Sequence, residues 1–486
     1  MKWRKPKRFD ANLIVIGAGS AGLIAALIGA TVKAKVVLIE KGAMGGDCLN
    51  TGCVPSKTLI ASARVAHTVA QGERFGLRDV SFDVDFGAVM ARVRRVIEAI
   101  APNDSIERYT GLGVECVQGQ ARLVDPWTVE VEAHRITARS IVLATGASPA
   151  VPTIPGLDAM RALTSDSVWN LKARPSRLLV MGAGPIGCEL AQAFQRLGSQ
   201  VTLIDMEARV LPREDADVSA AVAQALGEDG VTVRVGHRAE RFGTDESGRF
   251  LIARATDQEA QEVKLGFDEV LVAVGRRAHP EALGLAALGI ETRRDGTIVV
   301  DRYLRTRMKS IFACGDVTGP YQFTHIASHQ AWYAAVNALF GRFWKFAANY
   351  AVVPWCTYTD PEAARVGLSE EEAARAGVEY EVSRHPLAHL DRALAEGAEL
   401  GFIKVLTHKR SDRILGAAIV APQAGELIGE YVSAMTHGLG LKQIQGTIHI
   451  YPTLAELNKS AANAWRRAHA PERLLRWVGR FHALWR

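Results

Sequence analysis

Asn12-Leu13-Ile14-Val15-Ile16-Gly17-Ala18-Gly19-Ser20-Ala21-Gly22 is a short apolar strand running into a glycine turn and then a helix. The next apolar run, Val36-Val37-Leu38-Ile39, ends in Glu40. Together they make a βαβ unit with an acid about 20 residues past the glycines, the full pattern of a dinucleotide-binding turn. Gly17 permits the tight turn, Gly19 lets backbone approach a pyrophosphate, and Gly22 lets helix and strand pack closely. Ser20 and Ala21 open the helix, whose first N–H groups and positive dipole end favour an anion. Glu40 is placed to accept from ribose hydroxyls, with Lys41 beside it. A glycine-rich turn that holds no ligand is the bland alternative.

The stretch that follows carries chemistry: Gly45-Gly46-Asp47-Cys48-Leu49-Asn50-Thr51-Gly52-Cys53-Val54-Pro55-Ser56-Lys57. Pro55 suits the first turn of a helix that Cys53 would precede. A thiol at a helix N-terminus has its pKa lowered, because the thiolate faces unpaired N–H groups. A thiol pair directly behind a dinucleotide turn implies a dithiol set against a flavin. Gly46 and Asp47 lie on the flavin side, and Lys57, one turn on, would balance reduced-flavin charge; a solvated helix lysine is the alternative.

The pattern returns once. Arg177-Leu178-Leu179-Val180-Met181 leads into Gly182-Ala183-Gly184-Pro185-Ile186-Gly187, and Val201-Thr202-Leu203-Ile204 ends in Asp205. One such turn is weak support for a nucleotide site; two complete units are strong support for two. A carboxylate at Asp205 accepts from the 2′-OH of NAD and repels a 2′-phosphate, so NADH is favoured over NADPH, with Arg209 nearby weakening the preference. Ile141 to Gly146 reads as a buried strand and turn, Pro149, Pro152 and Pro155 as a linker, and Ile311 to Asp316 as a strand ending in an acid. From about Asn349 strands and helices alternate without phosphate turns. Cys116, Cys188, Cys314 and Cys356 have no metal-ligand spacing and read as small hydrophobes.

Composition bounds the class. The chain has 486 residues, 48% hydrophobic and 23% charged, which suits roughly three domains of a globular enzyme. The formal net charge of +6 resides in the ends: the first nine residues carry +5, residues 466–486 carry +5, and the body between carries −4. A nucleic-acid partner is therefore not expected. Residues Ala11 to Val32 bear no charge, but their glycines mark strand, turn and helix rather than a bilayer span. No signal-peptide pattern follows Met1, and six cysteines do not make a secreted disulfide framework, so a cytoplasmic location is expected.

These motifs, spread from about residue 10 to about 465, resemble the class I pyridine nucleotide–disulfide oxidoreductases, whose members include dihydrolipoamide dehydrogenase, glutathione reductase and mercuric reductase. The resemblance implies an α/β fold with two Rossmann-like dinucleotide-binding domains, for FAD and NAD(P), plus a C-terminal α+β dimerisation domain. The expected segments are a basic arm (1–9), an FAD-binding domain (10–150 and 281–347), an NAD(P)-binding domain (151–280), a dimerisation domain (348–465) and a basic amphipathic tail (466–486). It implies a homodimer in which each active site takes residues from both subunits. It further implies a redox-active Cys48–Cys53 disulfide, with Cys53 the flavin-facing thiol and Cys48 the interchange thiol. Lys57 would pair with Glu189. Thr145, Gly146 and Asp316 would be further FAD contacts, with His325 along the flavin ring, and Gly275 would close the nicotinamide domain.

One departure matters. The disulfide-reducing members carry His-Pro-Thr with a Glu five residues after the His; here the run is Tyr451-Pro452-Thr453-Leu454-Ala455-Glu456. An imidazole shuttles protons at neutral pH, whereas a phenol with pKa near 10 is a poor base. Mercuric reductases carry a tyrosine at this place, because a thiophilic metal ion needs ligands rather than a base. They usually also end in a vicinal cysteine pair and begin with a metal-binding domain, and this sequence shows neither. His449 could replace the missing base, since residues i and i+2 of an extended segment share a face; a structural histidine is the alternative.

The leading expectation is an FAD-dependent NAD(P)H oxidoreductase that passes electrons through Cys48 and Cys53 to a thiophilic ion such as Hg(II), bound transiently by the two thiols, or to another small acceptor. No resident metal is expected. Tyr451 and Glu456 of the partner subunit would shape that pocket. The first alternative is a dihydrolipoamide dehydrogenase; the second is a flavoprotein electron-transfer subunit docked through its basic tails. Pro471 can open a helix in which Leu474, Val478, Phe481 and Trp485 recur among arginines. That helix would dock on the dimer or lie peripherally on the inner face of a membrane.

Overall fold

The structure, a computed structural model, describes residues 3–257, 262–278, 280 and 283–486, in two compact units: residues 1–206 with 234–349, and residues 207–233 with 350–486.

The first unit is built on a seven-stranded sheet. Ala11–Ile16 lies between Val36–Glu40 and His134–Leu143, all parallel, with Val114–Gln118 beyond the former and Ile311–Ala313 beside the latter. Leu13, Ile14 and Val15 are fully buried: Leu13 and Val15 lie in one core with helix residues such as Ala25 and Ala334, and Ile14 in another with Leu123, Val129 and Val131 of antiparallel strands. The helix Ser20–Thr31 returns the chain from the first strand to the second, so Ala11 to Val32 is the expected strand, turn and helix. No described helix is long and apolar enough to cross a membrane. Trp3, in the basic N-terminal arm, packs against this unit's core.

The second nucleotide turn repeats the plan. Arg177–Met181 runs parallel to Gln200–Ile204 on one side and to Glu269–Val272 on the other. The helix Pro185–Arg196 follows its glycines, with proline in the first turn, where its missing N–H costs nothing.

The other unit centres on a five-stranded antiparallel sheet in the order Pro354–Thr357, Glu362–Gly367, Ile414–Ala421, Phe402–His408, Tyr380–Pro386. The helix Glu456–Ala468 buries Leu457, Ala461, Ala462 and Trp465 in its core. The final helix, Glu472–Leu484, buries none of its residues. Lys404 is 1% exposed, and its ammonium donates to Asp215 (2.8 Å), Asp217 (2.8 Å) and Glu370 (2.9 Å). Arg365 adds bonds to Glu214 and Glu372, with Trp355 under its guanidinium. Asp215 and Asp217 belong to residues 207–233, so this cluster anchors that segment to the antiparallel sheet. Removing the cation leaves buried Asp215 uncompensated, with the half-buried Asp217 and Glu370 beside it. Lys404→Met should therefore cost about 3–5 kcal/mol in urea unfolding, and a loss below about 1 kcal/mol would assign the cluster to the ordinary surface-pair class.

Candidate functional site

The cysteine stretch is fastened to the first nucleotide turn by backbone. Gly45 N–H donates to Ala18 O at 2.9 Å. Gly46, at φ +57°, passes so close to Gly19 that a Cβ on it would lie 2.6 Å from Gly19 Cα. This crossing starts the short helix Gly46–Asn50 and brings Cys48 within hydrogen-bonding reach of the Ser20 hydroxyl. The long helix Cys53–Ala70 begins at Cys53 itself, not after it, with Gly52 as an N-cap that offers no side-chain acceptor. The first N–H groups of the helix are thus left for the sulfur and whatever binds beside it.

Cys48 and Cys53 are both free thiols here, so their electrostatics are those of the reduced pair. The hydrogen bond from Cys48 holds the Cys53 thiol down at about 6. The Thr324 hydroxyl, 3.4 Å from Cys53 Sγ, and the Lys57 ammonium add to this; desolvation and Glu189 oppose it. The same bond, with burial, pushes the Cys48 thiol up. The reduced pair thus favours one thiolate and one thiol, with the charge drawn toward Cys53.

Lys57 and Glu189 meet at 2.8 Å, Glu189 being buried, so the pairing drawn from resemblance is present. Glu189 stands on the Pro185–Arg196 helix, so this ion pair links the second nucleotide turn to the thiol helix. On the other side Arg276, next to Gly275, reaches Asp47 and the Ala147 carbonyl and lies 3.8 Å from Asp316. Burial pushes the Asp316 carboxyl up to about 6 despite Arg276, with the Asp47 and Cys53 charges adding to the rise. Arg276 Nε has no hydrogen-bond partner among the described residues. His325 stacks on Phe323 at the start of the helix Thr324–Phe340.

Both nucleotide turns fit the groups expected in them. A Cβ on Gly17 (φ +102°) would meet Ala144 O at 2.4 Å, and one on Gly22 would meet Gly17 O at 1.7 Å. Gly182 and Gly187 repeat these contacts against Ala273 O and Gly182 O, whereas nothing lies within 4 Å of a Cβ on Gly184, which leaves its backbone open to a phosphate. Glu40 accepts from Ala18 N–H (2.6 Å) and Gly42 N–H (2.7 Å), and Asp205 accepts from Ala183 N–H (2.5 Å). Each acid is thus fixed at its strand end, beside the glycine turn it follows. A cavity of ≈ 230 Å³ beside the first turn is lined by Gly17, Glu40, Lys41, Thr145 and Gly146 among others. A larger hollow of ≈ 590 Å³ follows the linker from Val151 to Asp158 and contains none of the candidate residues.

In the other unit Tyr451 is 67% exposed and its hydroxyl donates to Asp391 Oδ2 at 3.0 Å. That bond and the Asp391 charge raise its pKa further. His449 does not share this face. Its side chain is 6% exposed, Nε2 lies 3.1 Å from both Glu430 oxygens, and Nδ1 lies 3.2 Å from Thr447 O. The Glu456 carboxylate accepts from Thr453 N–H at 3.3 Å. Sequence reasoning missed Thr324 as a partner of Cys53, Arg276 as a partner of Asp47, and Asp391 as a partner of Tyr451; their long separations leave no local signal.

The chain is similar to known proteins over most of its length. A family model described as pyridine nucleotide-disulphide oxidoreductase matches residues 11–331, and its dimerisation domain matches residues 353–462. Mercuric reductase of Bacillus cereus is 36% identical over 448 residues, 92% of this chain and 70% of that one. Dihydrolipoyl dehydrogenase of Chlamydia muridarum is 35% identical over 452 residues, 92% and 95%. The Cu(II) complex of the HOCl-induced flavoprotein disulfide reductase RclA from Escherichia coli superposes with a TM-score of 0.82 at 27% identity, covering 93% of this chain and 99% of that one.

The thiol asymmetry is measurable. Thiolate ultraviolet absorbance of the reduced protein should rise with a midpoint near pH 6, a step that Cys53→Ser abolishes and Lys57→Met moves upward. A single step near the ordinary thiol value of about 8.5 would contradict it.

Proposed function

The chain belongs to the pyridine nucleotide-disulphide oxidoreductases, FAD-dependent enzymes that use NAD(P)H, and on that premise we propose that it is a reductase of the mercuric reductase type. The matched dimerisation domain supports a homodimer. The acceptor we assign is a thiophilic metal ion such as Hg(II). Two electrons from the nicotinamide reduce it to the metal, with release of NAD⁺ and a proton. When bound, FAD supplies the relay between hydride donor and thiols.

The residues divide the work. Cys53, already a thiolate at neutral pH, faces the flavin side, where Lys57 balances developing negative charge. Cys48 keeps its proton until a soft cation displaces it, and two thiolates then hold the ion, a ligand set that selects such metals. Asp205 supports NADH as the donor. Its carboxylate is held at the strand end by Ala183 N–H, while Arg209 is committed to Pro212 O, Glu214 O and Glu371.

The observation that carries the choice of acceptor is Tyr451. Dithiol–disulfide exchange needs a base that titrates near neutrality. Tyr451 occupies that place as a phenol whose proton Asp391 secures, and His449, two residues away, is buried with both ring nitrogens engaged. Metal reduction at two thiols needs no such base. A mercuric reductase among the relatives and a Cu(II) complex among the solved structures support this reading. The second reading, dihydrolipoamide dehydrogenase, draws support from the Chlamydia muridarum relative and from Asp205. Tyr451→His decides between them: lipoamide turnover should rise by roughly 10²-fold or more, the contribution of a positioned acid–base group. High wild-type lipoamide activity that histidine does not improve would overturn the assignment.

A further inference from the structure

The last helix, Glu472–Leu484, leaves a segregated apolar face uncovered. At 3.6 residues per turn, Leu474, Trp477, Val478, Phe481, Leu484 and Trp485 fall within an arc of about 120°. Trp477 is 62%, Leu484 85% and Trp485 78% exposed. The rings of Trp477, Phe481 and Trp485 follow one another at 6.2 and 5.7 Å, forming an aromatic row along that face. Arg473, Arg476 and Arg480 line one border of the arc, and none has an ion-pair partner among the described residues. The preceding helix makes the contrast: Glu456–Ala468 is also amphipathic, but its stripe lies in the core.

We propose that this helix is a membrane-surface anchor that seats the enzyme on a bilayer containing anionic phospholipid. Exposed Trp and Phe beside unpaired arginines match a surface that offers acyl chains and phosphates within a few ångströms of each other. A water-facing role leaves the aromatic row unexplained. A second copy of the helix packed face to face would bring arginine rows, each from a segment of net positive charge, toward one another. Charge complementarity selects a negatively charged plane instead, and the helix lies in that plane, since no described helix can span a bilayer.

The test is sedimentation of the full-length flavoprotein with vesicles of phosphatidylcholine alone or mixed with phosphatidylglycerol. Wild type should pellet with the mixed vesicles at least ~10-fold more than with phosphatidylcholine, and high salt should reverse this, as screening requires. Trp477→Ser with Phe481→Ser, and separately R473Q/R476Q/R480Q, should each lose the binding while keeping dimer mass and NADH oxidation. Equal pelleting of wild type and variants, or none by wild type, would overturn the proposal. So would a variant that turns monomeric in light scattering, because that result assigns the face to a second protomer.

Discussion

The electrostatic coupling of the Cys48 and Cys53 thiols is the interaction on which the first unit's chemistry depends. It splits two similar groups into a thiolate and a protected thiol, and each neighbour reinforces the split. Thr324 and Lys57 stabilise charge on Cys53, while burial keeps the proton on Cys48. The cysteine stretch is held by crossing the first nucleotide turn backbone to backbone at Gly45 and Gly46. A side chain at Gly46 would separate the thiols from the turn that binds the dinucleotide.

The two nucleotide turns contribute unequal parts to one electron path. The first holds the cysteine stretch; the second sends Glu189 to Lys57 on the thiol helix, so the second turn and the dithiol are linked by one ion pair. Arg276 closes the opposite side by spanning Asp47 and Asp316. Such an arrangement concentrates charge where an electron pair must arrive, and burial raises the cost of misplacing it. In the other unit the ion cluster around Lys404 serves stability, and the Tyr451–Asp391 bond keeps a phenol where the disulfide-reducing members place an imidazole.

Much of this was legible in the sequence because it is local. Apolar runs bounded by glycines gave the strands at Ala11–Ile16 and Arg177–Met181, and the acid at each second strand's end followed from spacing alone. The Lys57–Glu189 pair, 132 residues apart, came from resemblance rather than from pattern. Thr324 and Arg276 act on the thiol stretch across 271 and 229 residues, and only the folded sheet brings them there. The expectation that His449 and Tyr451 share a face assumed an extended segment. The chain there is irregular, and Glu430 draws the imidazole inward.

In the proposed function a poised dithiol serves an acceptor that requires no proton shuttle. The most direct measurement is anaerobic. The purified flavoprotein is given NADH and challenged with Hg(II), and separately with oxidised lipoamide, alongside Cys48→Ser. Rapid NADH oxidation with Hg(II), little with lipoamide, and loss of the Hg(II) reaction in the variant are the predicted results. Rapid turnover of lipoamide with none of Hg(II) would contradict the account and restore a dithiol as the substrate.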